Sequence, residues 1–381
     1  MKLYEFEAKH LLAQYGFSLP KSHLVSSSDQ LTLPPFSGPY VLKAQLLSGN
    51  RAARGGILFV TKSSQLPIGL KRLFRTKFGL ESVKSVLVEE QITSKKEFYL
   101  ALTYSTESRS PLLLFSDSGG SGIEKRRHQL QSYPLSLNQP KFPDLPVPPD
   151  FLAKLFHLFL EEDIRLLEIN PLIETIEHTW LALDAKIILD EAAFFRHPNR
   201  HFPPRSFLGR LPTDKELEAN QVNKMDHRGS AGASYFDFGS GVGVLASGGG
   251  ASIVIMDTLL ANDLKPANYT EYSGNPPREK VKALTKVVLS QSLNSLLVVG
   301  GNANFTDIYE TLMGVMDAIL ECQPLPKYPI VIRRGGPRWQ EAFATLTKIK
   351  QSHHLNLHLF GPDIPMSFAV DYLVKLLKPT L

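Results

Sequence analysis

A single cysteine, Cys322, stands in 381 residues, which excludes an internal disulfide and suits a reducing compartment. Dense runs of Lys and Arg are missing too. The 42 basic and 37 acidic residues are dispersed, and a net charge of +5 with a pI near 9.0 suits small anionic ligands better than nucleic acid. The longest uncharged stretch, Phe238–Met256, is too rich in glycine and small residues to be a persuasive membrane span. Met1–Gly16 is charged throughout, so no secretory signal is expected, and the reading is cytoplasmic. No GxxxxGK[ST] motif occurs, which excludes a P-loop. Most histidines of Phe194–Pro212, and His353–His354, lack metal-ligand spacing and are expected at the surface. What remains is an ordinary soluble composition, 43% hydrophobic and 21% charged, with length for two or three domains.

Leu3–Tyr15 has the spacing of an amphipathic helix, with Leu3, Phe6, Leu11, Leu12 and Tyr15 near one face and Gly16 as a stop. Tyr40–Gln45 reads as a strand carrying one lysine, Lys43. It runs into the loop Ser48–Gly56, which holds Arg51 and Arg54, before a second strand at Ile57–Val60. A strand–loop–strand with free amides and basic side chains is one way to hold a triphosphate, although a plain hairpin turn accounts for it equally. Val86–Glu90, Lys96–Leu102 and Leu112–Phe115 read as strands, followed by a turn that ends near Lys125. Gln139–Asp150 holds five prolines and is a surface crossing; Asp150–Glu161 is helical; Phe194–Pro212 reads as a linker or lid.

Between these lies Leu166–Lys186, LLEINPLIETIEHTWLALDAK, two alternating runs about a polar turn at Glu177. Residues two apart on a strand share a face, so Glu168 and Asn170 project together, opposite Leu167, Ile169 and Ile173. A loop symmetric about Glu177 sets Asn170 across from Asp184. Two carboxylates and an amide oxygen on one surface are hard ligands of the kind Mg²⁺ takes alongside phosphates. A solvated polar face on an ordinary hairpin accounts for the same pattern.

From about Ser234 the rhythm becomes alternating strand and helix: strands at Val242–Ala246, Ser295–Val299, Pro329–Arg333 and Leu355–Phe360, helices at Ala251–Leu260, Arg278–Gln291, Phe305–Glu321, Trp339–Lys350 and Ile364–Leu377. This spells a doubly wound parallel α/β domain whose ligands bind at the carboxyl ends of strands. Two such ends carry anion sockets. GGNANFT, Gly300–Thr306, is expected to open a helix and so to present free amides. RRGGP, Arg333–Pro337, sets two guanidiniums beside a flexible turn. Either glycine turn alone is explained as fold punctuation; two sockets at successive strand ends are harder to dismiss.

MKLYEFEAKHLLAQYG, VLVEEQITSKKEFYL, SDSGGSGIEK and LLEINPLIETIEHTWLALDAKIILDEAAFFR resemble the ATP-grasp (β) subunit of succinyl-CoA synthetase along essentially the whole chain. The resemblance implies an α/β chain with an α+β part: an ATP-grasp region over 1–233, in which 21–102 is inserted between 1–20 and 103–233, and a flavodoxin-like domain over 234–381. By the same resemblance Lys43 contacts phosphate, Arg51, Arg54, Glu89 and Glu97 belong to the nucleotide site, Asn170 and Asp184 hold Mg²⁺, and Glu168 is the catalytic residue that orients a phosphorylated histidine. The family's glycine loop usually reads GGRGKAGG, where this chain has GNRAARGG, with Arg51 and Arg54 as its cations.

The second half is more similar to ATP-citrate lyase and citryl-CoA synthetase, through SGGGASIVIMDTL, NYTEYSGNPP, GGNANFT and VIRRGGPRWQEAF. That similarity implies a citrate site lined by Gly274, Ala303, Asn304, Phe305, Thr306 and Arg334. Citrate carries three carboxylates and succinate two, so an added guanidinium and amide are what the larger anion needs. The implied activity is ATP-dependent formation of citryl-CoA from citrate and CoA, with ATP or GTP as phosphoryl donor. Neither the phosphorylatable histidine's domain nor a citrate-synthase-like lyase module is found in this sequence. An α-type partner carrying the histidine and the CoA-binding domain, possibly fused to that module, is therefore expected, in a hetero-oligomer with no role for nucleic acid or membrane. The same chemistry on succinate is one alternative. A scaffold or regulatory subunit without turnover is another.

Overall fold

Helix α1 (Glu5–Gln14) opens the computed structural model, which describes residues 1–26, 33–79, 81–94, 96–120, 122, 128–200, 202–203, 205 and 210–378. Gly16, at φ +72°, ends that helix in the left-handed region that glycine enters without strain. Next come β1 (Ser22–Ser26), β2 (Tyr40–Ala44), β3 (Ile57–Val60), α2 (Leu66–Arg75) and β4 (Ser85–Glu90). The four strands form an antiparallel sheet in the order β1-β4-β2-β3, with Leu66, Leu70 and Leu73 of α2 packed against Leu42, Val86 and Val88.

A second antiparallel sheet takes β5 (Glu97–Ser105), β6 (Ser110–Ser116), β7 (Gln131–Pro134), β8 (Ile164–Glu174), β9 (Trp180–Ala182) and β10 (Ala185–Leu189). Its core strand is β8, which pairs with β5 on one side and with β9 and β10 on the other. Helices α1 and α3 (Pro149–Glu161) cover it through Leu11, Leu12, Leu155 and Phe159. The expected inserted segment of 21–102 is thus shorter by one strand: its sheet ends at Glu90, and Glu97–Leu102 pairs inside the larger sheet. Lys125 and His201 lie outside the described residues.

The expected lid at 194–212 begins with a docked 3₁₀ turn, Glu191–Arg196. Arg196 and His197 both bind the Asp163 carboxylate, at 2.5 and 2.8 Å, so His197 is a half-buried hydrogen-bond partner and not a surface residue. Asp163 is held below the usual carboxylate range, chiefly by its bond from Arg196.

The described chain forms two compact units, Met1–Leu211 and Pro212–Leu381. The division falls ahead of the expected 233/234 because helix α4 (Asp214–Lys224) packs its Ala219 and Val222 into the second core. In that unit β11 (Ser240–Ser247), β12 (Ser292–Asn302), β13 (Ile330–Gly335) and β14 (Leu357–Phe360) run parallel in sequence order. Alternation sends Val242, Val244, Val299 and Val331 to a face covered by α5 (Gly249–Ala261) and α9 (Met366–Leu377). The opposite face, with Leu245, Val298, Ile330 and Ile332, is covered by α6 (Arg278–Leu289), α7 (Ile308–Leu320) and α8 (Trp339–His353). No helix among the described residues is long and apolar enough to cross a membrane.

Helix α7 starts three residues later than the sequence pattern suggests. Asp307 is its N-cap, accepting from the Glu310 amide at 3.1 Å, and a protein carboxylate thereby fills the place expected for a ligand anion. Asn304–Thr306 is a connecting loop instead of a helical turn.

Candidate functional site

The hairpin register places the first group of candidates. Ile169 pairs with Ala185 and Leu172 with Ala182, so the turn is centred on Glu177 and Asn170 stands across from Asp184. The Asn170 amide donates to the Asp184 carbonyl at 3.2 Å. Against β5 the register slips between Ile169 and Leu172, so Asn170 and Pro171 together oppose one residue. The bulge also accommodates a proline, which has no ladder donor to give.

Asn170 and Asp184 turn to different neighbours. The Asn170 side chain clasps Gly120, its Oδ1 accepting from the Gly120 amide at 2.6 Å while its Nδ2 donates to the carbonyl at 3.3 Å. Gly120 sits at φ +81°, and a Cβ there would approach Glu97 Oε2 to 2.6 Å. Glu97, Asn170 and the Gly119–Gly120 turn therefore form one group. Glu168 shares the half-buried face of β8 and pairs with Lys186 at 3.6 Å.

Asp184 belongs to a second, denser group. Its Oδ2 accepts from Arg51 Nη2 at 2.8 Å. Arg51 also binds Glu5, and Lys43 Nζ lies 2.9 Å from Glu5 Oε1 and 2.6 Å from Glu89 Oε2. Lys9 completes the set with Glu5 at 3.0 Å and with Glu89. Glu5, Lys9, Lys43 and Glu89 are all buried. Three carboxylates thus face three cations in one closed cluster. Burial alone would lower the Lys43 ammonium, but Glu5, Glu89 and Asp184 outweigh it and raise the group above its usual range. Burial likewise opposes ionisation of Glu5, yet Arg51, Lys43 and Lys9 hold it well below the usual carboxylate range.

Lys43, Arg51, Glu89 and Asp184 are brought together in this cluster. Arg54 is not among them: its guanidinium folds back onto its own loop, donating to Ser48 Oγ and the Gly49 carbonyl at 2.7 Å each. Glu5 and Lys9 are the members that sequence reading missed. They stand four apart on α1 and share its inward face with Ala8 and Leu12. A charged pair at core spacing was the available signal.

Among the described residues no three His, Cys, Asp or Glu side chains gather as a metal cage. A carboxylate in the bend between β9 and β10 and an amide oxygen on β8 nevertheless suit Mg²⁺, which takes one or two protein carboxylates and fills its shell with phosphates and water. The two side chains turn to different neighbours here, so they would fit that role only once Arg51 yields Asp184 and the Asn170 amide turns from Gly120.

The second group lies at the carboxyl edge of the parallel sheet. Arg333 and Arg334 are adjacent on β13 and therefore point to opposite faces. Every nitrogen of Arg333 has a partner: its Nε, Nη1 and Nη2 donate to the carbonyls of Ile364, Gly300 and Pro362, each at 2.7 Å. Arg334 is 1% exposed, yet its Nε and Nη2 have no partner among the described residues. Its remaining contacts are Nη1 toward the Gly301 carbonyl at 3.5 Å and the Tyr272 ring 5.7 Å away. An unmatched buried cation is costly unless an anion joins it.

The loop after β12 is held close by. The Ala303 amide donates to the Gly335 carbonyl at 3.0 Å, and Gly336, at φ +131°, leaves no room for a Cβ beside Ala303. Asn275 Oδ1 accepts from the Asp307 amide at 3.0 Å, tying the Gly274 turn to the same loop. Gly274 rests against Gly229, whose carbonyl accepts from buried Lys280 at 2.8 Å. Thr306 is buried, while Asn304 and Phe305 are exposed. Gly274, Ala303 and Thr306 thus share an edge with Arg334, with Asn304 and Phe305 at the solvent side.

Residues 2–129 match a family model described as ATP-grasp domain, and residues 214–376 one described as ATP citrate lyase citrate-binding. A succinate–CoA ligase [ADP-forming] subunit beta of Methanocaldococcus jannaschii is 29% identical over 343 residues, 84% of this chain and 88% of the relative. An ADP-forming sulfoacetate–CoA ligase subunit of Acholeplasma sp is 29% identical over 351 residues, 85% of this chain and 81% of the relative. Among solved structures, ATP citrate lyase from Methanothrix soehngenii in complex with citrate and coenzyme A superposes with a TM-score of 0.80 over 98% of this chain and 99% of that one, at 23% identity.

Proposed function

We propose that the chain is an ATP-grasp subunit of an ATP-dependent acid–CoA ligase and that it activates citrate for thioester formation. The observation that carries the choice of acid is Arg334, a buried guanidinium with two unpaired nitrogens beside Ala303 and Thr306. Only an anionic ligand offsets such a charge, and a tricarboxylate supplies more than one oxygen pair to this edge.

In this reading the first unit binds nucleotide. Mg²⁺ held by Asn170 and Asp184 supplies charge that offsets the transferring phosphoryl group. Lys43 reaches a phosphate only by sharing its ammonium with Glu5 and Glu89, because both already bind it. Asp184 is released as Arg51 moves from the carboxylate to the incoming phosphates. The γ-phosphoryl passes to a histidine nitrogen on a partner subunit, ADP leaves, and Glu168 orients that histidine. The phosphoryl then moves to a carboxylate oxygen of citrate. The CoA thiolate attacks the acyl carbon, expels inorganic phosphate and leaves citryl-CoA.

Arg334→Gln is expected to raise the apparent KM for citrate about 10- to 100-fold, since a hydrogen-bonded charge contributes a few kcal/mol. Labelling of the partner by [γ-³²P]ATP should persist in that variant. Unchanged citrate kinetics would remove the clamp. The curated relatives favour a second reading, succinate in the same place, so both acids belong side by side in the assay. Absence of any labelled histidine would favour a non-catalytic scaffold.

A further inference from the structure

We infer that Gly300 is the positioning residue that turns Arg334 edge-on to its ligand, so that Nε and Nη2 together grip one carboxylate. The inference rests on the reading of Arg334 as the acid's clamp. Its support is the register of β12 against β13. Val299 pairs with Arg333 and Asn302 with Gly335, so Gly300 and Gly301 both oppose Arg334. Such a bulge re-aims the side chain opposite it.

The guanidinium occupies the space a side chain at Gly300 would need. A Cβ there would lie 2.0 Å from Arg334 Nη1 and 2.7 Å from Ser247 Cβ. With Nη1 leaning on Gly301 and the Tyr272 ring nearby, one edge of the plane is taken. The free nitrogens, Nε and Nη2, are neighbours on the other edge. Two parallel N–H donors at that spacing match the two oxygens of a carboxylate, a geometry that a lysine ammonium does not reproduce. Gly301 differs from its neighbour, since a Cβ there meets nothing within 4 Å. Of two adjacent glycines, one seats the arginine and the other is open to substitution.

The test measures citrate affinity of the full chain by calorimetry, together with its unfolding temperature in the absence of ligand. Gly300→Ala is made both alone and on Ser247→Gly, which removes the only other side-chain clash. Both forms are expected to weaken citrate binding about 10- to 100-fold relative to their parents. Arg334→Lys should lose as much affinity as Arg334→Gln. On an Arg334→Gln background Gly300→Ala should cost no further affinity, an outcome that a general folding defect would not produce. Normal binding by Gly300→Ala, with Arg334→Gln impaired, would overturn the seat. Rescue by Arg334→Lys would overturn the two-donor grip even if Gly300→Ala failed to fold. Normal citrate binding by Arg334→Gln would instead defeat the underlying clamp.

Discussion

In the first unit Lys9, Lys43 and Arg51 each meet carboxylates of Glu5, Glu89 or Asp184, whereas in the second unit Arg334 is as deeply buried and meets none. Both arrangements place cations where phosphate or carboxylate chemistry needs them. They differ in what a ligand must do on arrival. At the closed cluster it must exchange partners with an existing network. At Arg334 it completes a set that the fold left open. The first arrangement satisfies its charges without ligand, and the second, in the function proposed above, reserves its interaction energy for the ligand.

The contrast is most exposed to Lys43→Met, which strips one cation from two buried carboxylates. A loss of about 3–5 kcal/mol is expected, the usual cost of breaking a buried pair from one side; urea unfolding of the first unit reads it. A loss near zero would mean that the cluster is solvated in solution. Arg333→Met should cost about 2–3 kcal/mol, because three carbonyls lose a charged donor. A next step is pH. Glu5 is depressed in the folded state, so its contribution is present above its ordinary value of 4.5 and fades as pH falls toward the folded value. Lys43 is raised, so its share is present below 10.5 and fades only as pH climbs beyond that. A stability plateau between these limits, with an acid limb below pH 4.5 that Glu5→Gln makes shallower, is the expected profile.

Removing the α7 cap with Asp307→Ala should cost about 1 kcal/mol. Smallest of all is Arg334→Met, for which ligand-free stability should hold or rise, since only the long contact to the Gly301 carbonyl and the Tyr272 ring contact are lost. If Arg334→Met destabilised the unit as strongly as Arg333→Met, the distinction between the two arginines would collapse.

Much of this was legible in the chain. Strand alternation plus a turn centre at Glu177 sufficed to pair Asn170 with Asp184, because a period of two has few registers to choose from. The helix–strand rhythm after Ser234 gave the parallel sheet for the same reason. Other features were harder. Bulges at Asn170–Pro171 and Gly300–Gly301 shape both sites, yet one extra residue leaves no periodic trace. Glu5 and Lys9 were hidden because a charge at a core position becomes visible only beside its partners on other strands. Arg333 and Arg334 read as twins, although their opposite parity already assigned them to different faces. Apolar spacing runs on ahead of the true start of α7, which is marked by the Asp307 cap with Glu310 three residues on.

Arg333 joins segments that are far apart along the chain: Gly300 at the end of one strand, and Pro362 and Ile364 in the approach to the last helix. It works as a rivet through three plies of backbone. Shortening the chain ahead of Pro362 would therefore do more than delete a helix. It would slacken the strand end on which the neighbouring arginine is mounted, and loss of acid recognition should precede loss of the sheet itself.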